Sequence, residues 1–141
     1  MNSYSIDELS VGQSEEIVKT VTEGDLYVYA GVTGDYNPVH LDKEFAAKSI
    51  FGERIAHGML SAGFISAALG TRLPGVGCIY MSQELKFRAP VKIGDTVKTV
   101  ATVSEINREK NRVLIKTECF NQDGTLVVDG VAMMRPVVKQ Q

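Results

Sequence analysis

"HGMLSAGFISAALGTRL", residues 57–73, sets the terms for the rest of the chain. Met59, Leu60, Ala62, Phe64, Ile65, Ala67, Ala68 and Leu69 occupy nearly every face of a helical repeat, and a helix apolar all round is expected to be buried. The stretch is shorter than the roughly 20 apolar residues of a membrane span. Gly70, Arg72 and Pro74 close it off. Its many small side chains predict close packing by a neighbour, most economically a sheet.

Downstream sequence supplies that sheet. In "IYMSQELKFR" (79–88), Ile79, Met81, Leu85 and Phe87 alternate with polar residues, interrupted by Gln83, and Pro90 and Gly94 then mark a turn. "DTVKTVATVSEI" (95–106), "NRVLIKTECF" (111–120) and "GTLVVDGVAMMRPVV" (124–138) follow, rich in Val, Thr and Ile and divided by "NREKN" and "NQDG" turns. Strands in succession without intervening helices predict an antiparallel meander. The expected class is therefore α+β, one long central helix wrapped by a curved antiparallel sheet. Upstream, residues 22–34 read as a helix capped by Thr22 and stopped at Gly34, and Asp42 caps a second, brief one.

At 141 residues the chain fits one domain spanning 1–141. Its 44% hydrophobic and 23% charged residues are those of an ordinary globular protein. A net charge of -2 with both signs interspersed leaves no basic stripe, so no nucleic-acid partner is expected. The opening "MNSYSIDELS" lacks the basic start and apolar run of a secretory signal, and Cys78 and Cys119 lack framework spacing. Both features fit a cytoplasmic protein with two buried thiols.

"GDYNPVHLD", residues 34–42, concentrates the chemistry. Asp, Asn, Gly and Pro together also make an ordinary turn. Here, however, Asp35 and His40 flank a loop stiffened at Asn37–Pro38 that leads toward the central helix. Such a loop can aim a carboxylate and an imidazole at one water, and histidine gives and takes protons near neutrality. His57 stands at the mouth of the helix, where packing or capping is its expected role. Gly58 follows it with a backbone N–H that has no intrahelical partner, a site able to stabilise an oxyanion.

Other chemistries fit poorly. Two histidines 17 positions apart, without a cysteine or carboxylate cluster, do not have zinc spacing, and no metal is expected. "GMLSAG" misses the nucleophile-elbow pattern, making Ser61 a poor nucleophile, and "GVG" at 75–77 lacks a dinucleotide fingerprint.

Three segments carry a family resemblance: "YAGVTGDYNPVHLDKEFA" (29–46), "FGERIAHGML" (51–60) and "APVKIGD" (89–95). In this order the chain resembles the MaoC-like (R)-specific enoyl-CoA hydratases, from about Val11 to about Val138. The resemblance implies a hot-dog fold, usually a homodimer, and hydration of trans-2-enoyl thioesters to (R)-3-hydroxyacyl thioesters. It places the catalytic pair on Asp35 and His40 and the oxyanion amide on Gly58. Asn37, His57 and Ser66 are supporting residues, Ser66 matching a serine found near the pair in similar enzymes. Asp35 is expected to act as base toward the water and His40 as proton donor, with a coupled pair able to share both roles.

No cofactor is expected, since hydration moves no electrons and coenzyme A enters as part of the acyl-CoA substrate. Arg54, Lys86 and Arg88 are conceivable contacts for its anionic end, though each by itself suits a solvated surface. A dehydratase of acyl-carrier-protein substrates would use the same pair. Hot-dog thioesterases fit the "GDYNPVH" pattern less well, and a non-catalytic acyl-CoA-binding subunit would not need both Asp35 and His40.

Overall fold

The computed structural model describes residues 1–140. Five strands form one antiparallel sheet in the order β1-β3-β4-β5-β2: β1 Ser14–Thr20, β2 Ile79–Phe87, β3 Thr96–Asn107, β4 Arg112–Phe120 and β5 Leu126–Arg135. The long helix α4, Gly58–Thr71, lies on the inner face. Val97, Ala101 and Val103 of β3, Val113, Ile115 and Cys119 of β4, and Val127 and Ala132 of β5 meet Ile65 and Leu69 there in one core. None of the described helices is long and apolar enough to cross a membrane.

Several expectations hold, with physical corrections. Helix α1, Glu23–Thr33, starts at Thr22, whose hydroxyl accepts from Asp25 N–H while the Asp25 carboxylate accepts from Thr22 N–H, and it ends where Gly34 turns left-handed at φ 81°. Asp42 caps α3, Lys43–Ala47. Between them, residues 38–41 are not irregular, as the density of turn residues suggests. Asn37 caps a single turn, α2 (Pro38–Leu41), with Pro38 at its first position.

The meander covers only β3, β4 and β5, because β2 pairs with β5 rather than with β3. The turn at Pro90 and Gly94 takes the chain across to the opposite end of the sheet. A strand unread in the sequence, β1, pairs there with β3. Its mostly exposed side chains give little alternation to detect. Along β2 the register breaks between Tyr80 and Ser82, so Ile79 and Met81 are both exposed rather than turned inward.

Central helix α4 is likewise not enclosed on every side. Ser61, Ile65, Ala68 and Leu69 are buried, while Met59, Gly63, Ser66 and Ala67 are exposed. Cys119 is buried as expected, whereas Cys78 is only partly so.

Truncating Ile65 to alanine removes a fully buried side chain from the helix–sheet contact. Large-to-small changes of this kind cost about 2–5 kcal/mol. Urea unfolding of Ile65→Ala is expected to show a loss of that size, and a loss below about 1 kcal/mol would contradict the packing described.

Candidate functional site

Asp35 follows the left-handed Gly34, and local bonds shape its surroundings. Its N–H donates to Thr33 Oγ1 at 3.2 Å, and its Oδ1 accepts from Asn37 N–H at 3.2 Å. Asn37 Oδ1 in turn accepts from Val39 N–H at 3.3 Å, starting the helical turn that carries His40. Asn37 therefore supports the pair by shaping the backbone between its members.

His40 is buried and its Nδ1 lies 2.7 Å from the Ile55 carbonyl. A carbonyl can only accept, so Nδ1 carries a proton, and in the neutral form of the ring Nε2 offers a lone pair. His57 is stacked on His40, ring centres 3.9 Å apart and planes 29° apart, and Tyr29 of α1 covers it from a second side at 4.5 Å. The His57 Nε2 donates to the Asp35 carbonyl at 3.1 Å by the same logic, leaving Nδ1 buried without a partner. Burial lowers the His57 pKa, and neighbouring His40 lowers it further, against an opposing contribution from the Asp35 backbone. His57 is therefore a neutral ring in a packed position.

Asp35, His40 and His57 each offer one polar atom within 4.8 Å of the others, although the spacing of their residues in sequence suggests no cluster. Two hydrogen bonds meeting at one water span about 4.5 Å, so the Asp35 carboxylate and the His40 ring stand at a separation that one water can bridge. The same trio makes a poor metal centre. His40 Nδ1 and His57 Nε2 are already engaged by backbone carbonyls, and the remaining His57 Nδ1 is buried.

These groups open into a cavity of about 550 Å³, walled by Phe51, Ile55, Met59, Phe87, Pro90 and Val128 among others. Gly58, first residue of α4, lines it. His57 occupies the N-cap position without a side-chain cap bond, so the first N–H groups of the helix remain free to receive an anionic oxygen. A Cβ on residue 58 would come within 2.9 Å of the Phe87 ring, so close packing is a second reason for glycine.

The fold separates the other candidates. Ser66 is exposed and lies in a depression with Met59, Tyr80 and Phe87, outside the Asp35–His40 cavity. Ser61, weighed in the sequence only as a nucleophile, is buried and lines the cavity. Its position three residues after Gly58 puts both on one helix face. Arg54 is committed to Glu23 at 2.7 Å and to the Tyr27 hydroxyl at 3.0 Å, which fastens the loop to α1 and removes it as a free cation. Arg88 lines the cavity but is paired with Asp129 at 2.9 Å. Lys86 is exposed beside it on β2.

Residues 10–121 match the MaoC like domain family. The chain is 50% identical over 129 residues to the (R)-specific enoyl-CoA hydratase of Rhodospirillum rubrum, covering 92% of this chain and 89% of that protein. It is 45% identical over 135 residues to the 3-hydroxybutyryl-CoA dehydratase of Methylorubrum extorquens, covering 96% and 85%. Among solved structures, the unliganded R-hydratase PhaJ1 from Pseudomonas aeruginosa superposes with a TM-score of 0.91 at 47% identity, covering 99% of this chain and 93% of that one. The shared architecture is the hot-dog fold.

A neutral, buried His57 makes a prediction about stability. Its folded pKa is depressed, so as pH falls through about 6.5 the unfolded chain takes up the proton first. Stability is then complete above about pH 6.5 and declines below it. Between about pH 7 and pH 5, His57→Phe is expected to show a shallower decline than wild type in urea unfolding. Equal slopes would show that His57 is not the group responsible.

Proposed function

Because the chain belongs to the MaoC-like family, we propose that it is an (R)-specific enoyl-CoA hydratase, a hydro-lyase that reversibly adds water to trans-2-enoyl-CoA. The observation that carries the proposal is one cavity lined by Asp35, His40 and the uncapped helix start at Gly58, with polar atoms of Asp35 and His40 within 4.8 Å of each other. Its relatives act in either direction of this chemistry by name.

The thioester carbonyl accepts from the Gly58 N–H, drawing electron density from the double bond and making C3 electrophilic. Asp35 and His40 Nε2 each accept one hydrogen of the water, which turns its oxygen toward C3. As the C3–O bond forms, a proton passes from the water to the pair, and a proton from the pair reaches C2 on the same face. In its neutral form His40 Nε2 is an acceptor, so it receives a proton before giving one to C2. The enolate charge is met by amide dipoles already in place. Dehydration reverses these steps.

The reaction transfers no electrons and so needs no redox cofactor; the Gly58 amide polarises the carbonyl, and coenzyme A enters with the substrate. Lys86, exposed on β2, is a cation available to its anionic end, near Arg88, which lines the cavity but is paired with Asp129. The working form is a homodimer of cytoplasmic chains. Support for the dimer comes from β2, the last strand of the sheet, where Ile79, Tyr80, Met81 and Phe87 are exposed, Tyr80 and Phe87 beside the uncovered face of α4. An open edge of this composition calls for a partner.

Purified protein is expected to consume crotonyl-CoA and yield the (R)-alcohol, read by loss of enoyl absorbance and chiral analysis. Asp35→Asn and His40→Ala should each lower kcat by about 10²–10⁴-fold while leaving the fold intact by circular dichroism. Folded variants with wild-type rates would remove the pair from the mechanism. Turnover confined to carrier-protein thioesters would instead identify a fatty-acid dehydratase. Sedimentation should give twice the chain mass of 15.4 kDa.

A further inference from the structure

His57 carries a cost that packing alone does not explain. Its residue is 2% exposed, and its Nδ1 has no partner. A buried acceptor without a donor is destabilising. Phenylalanine would fill the space between Tyr29 and His40 without that cost. What it lacks is the Nε2–H, and in this structure that donor ends on the backbone of Asp35.

The origin of the other bonds around Asp35 gives this donor its significance. The contacts of the Asp35 N–H and carboxylate are with Thr33 and Asn37, each two positions away. Such bonds bend the segment, but they cannot fasten it to α4. The His57 bond spans 22 residues and does so. His40 is fastened through its Nδ1–H to the Ile55 carbonyl, spanning 15 residues, and Ile55 N–H returns a longer bond to the Val39 carbonyl. Both members of the pair thus hang from residues 55–57, the stretch that runs directly into Gly58.

We propose that His57 is a positioning residue: its Nε2–H holds the Asp35 backbone while its ring face fixes the plane of His40, so one side chain sets both groups against the Gly58 amide. This rests on the hydratase reading, in which those three groups act on one substrate. The bond and the stack are separable. Glutamine can place an amide N–H where Nε2–H lies but offers no ring, whereas phenylalanine keeps the ring and offers no donor. A misplacement of about 1 Å costs on the order of 10²-fold in rate, so the tether governs kcat more than substrate binding.

The test uses the intact protein and two readouts. Long-range proton–nitrogen NMR of the wild type is expected to show His57 as the Nε2–H tautomer, whether or not any substrate turns over. His57→Phe is expected to lose about 10–100-fold in kcat with KM changed by less than about threefold, and His57→Gln to recover most of that loss. An Nδ1–H tautomer, or His57→Phe turning over at the wild-type rate, overturns the proposal. Equal losses in the two variants accompanied by equally lowered Tm assign His57 to packing alone, which also overturns it. If the wild type hydrates no enoyl thioester, the hydratase reading fails, and the tautomer alone decides whether the tether exists.

Discussion

Ile65 and Leu69, both fully buried, press α4 into the concave face of the sheet, and the site is placed relative to that contact. The helix begins at Gly58 with its leading amides uncapped, so holding the helix against the sheet also fixes where those amides point. Residues 55–57 precede it, His57 donating to the Asp35 carbonyl and Ile55 accepting from His40. A shift of the helix would carry all of these groups with it. Burial in the core, the least negotiable term in stability, thus sets the precision of the polar site.

The site itself divides its polar bonds by range. Short-range bonds from Thr33 and Asn37 give the segment after α1 its curvature, while long-range bonds to Ile55 and from His57 attach it to the rest of the molecule. Asp35 remains exposed and His40 is almost fully covered. The carboxylate is therefore open to the cavity, while the imidazole is held by its far nitrogen with Nε2 free. One face of α4 and the edge of β2 remain uncovered in the single chain, next to the cavity they share through Met59 and Phe87.

Much of this was legible from local chemistry. Thr22 and Gly34 bound α1 because capping and left-handed turns act within a few residues, and Asp42 begins α3 for the same reason. Strands β3, β4 and β5 show in the Val, Thr and Ile runs because each has one buried face. The edge strand β1 escaped because most of its side chains are exposed. Helix α4 looked enclosed because composition counts apolar residues on every face, and cannot say whether the same chain covers all of them.

The order of residues by itself determined the secondary structure around the site and the presence of Asp35, Asn37, His40 and Gly58 in one turn-rich region and one helix start. Their physical causes, caps, proline and glycine, operate over a handful of positions. Only the tertiary structure decided that His57 stacks on His40 and reaches Asp35, that Ser61 rather than Ser66 enters the cavity, and that Arg54 is consumed by Glu23. Those outcomes depend on side chains up to 31 positions apart meeting across packed elements, and distance of that kind is set by how a core closes, not by neighbours along the chain.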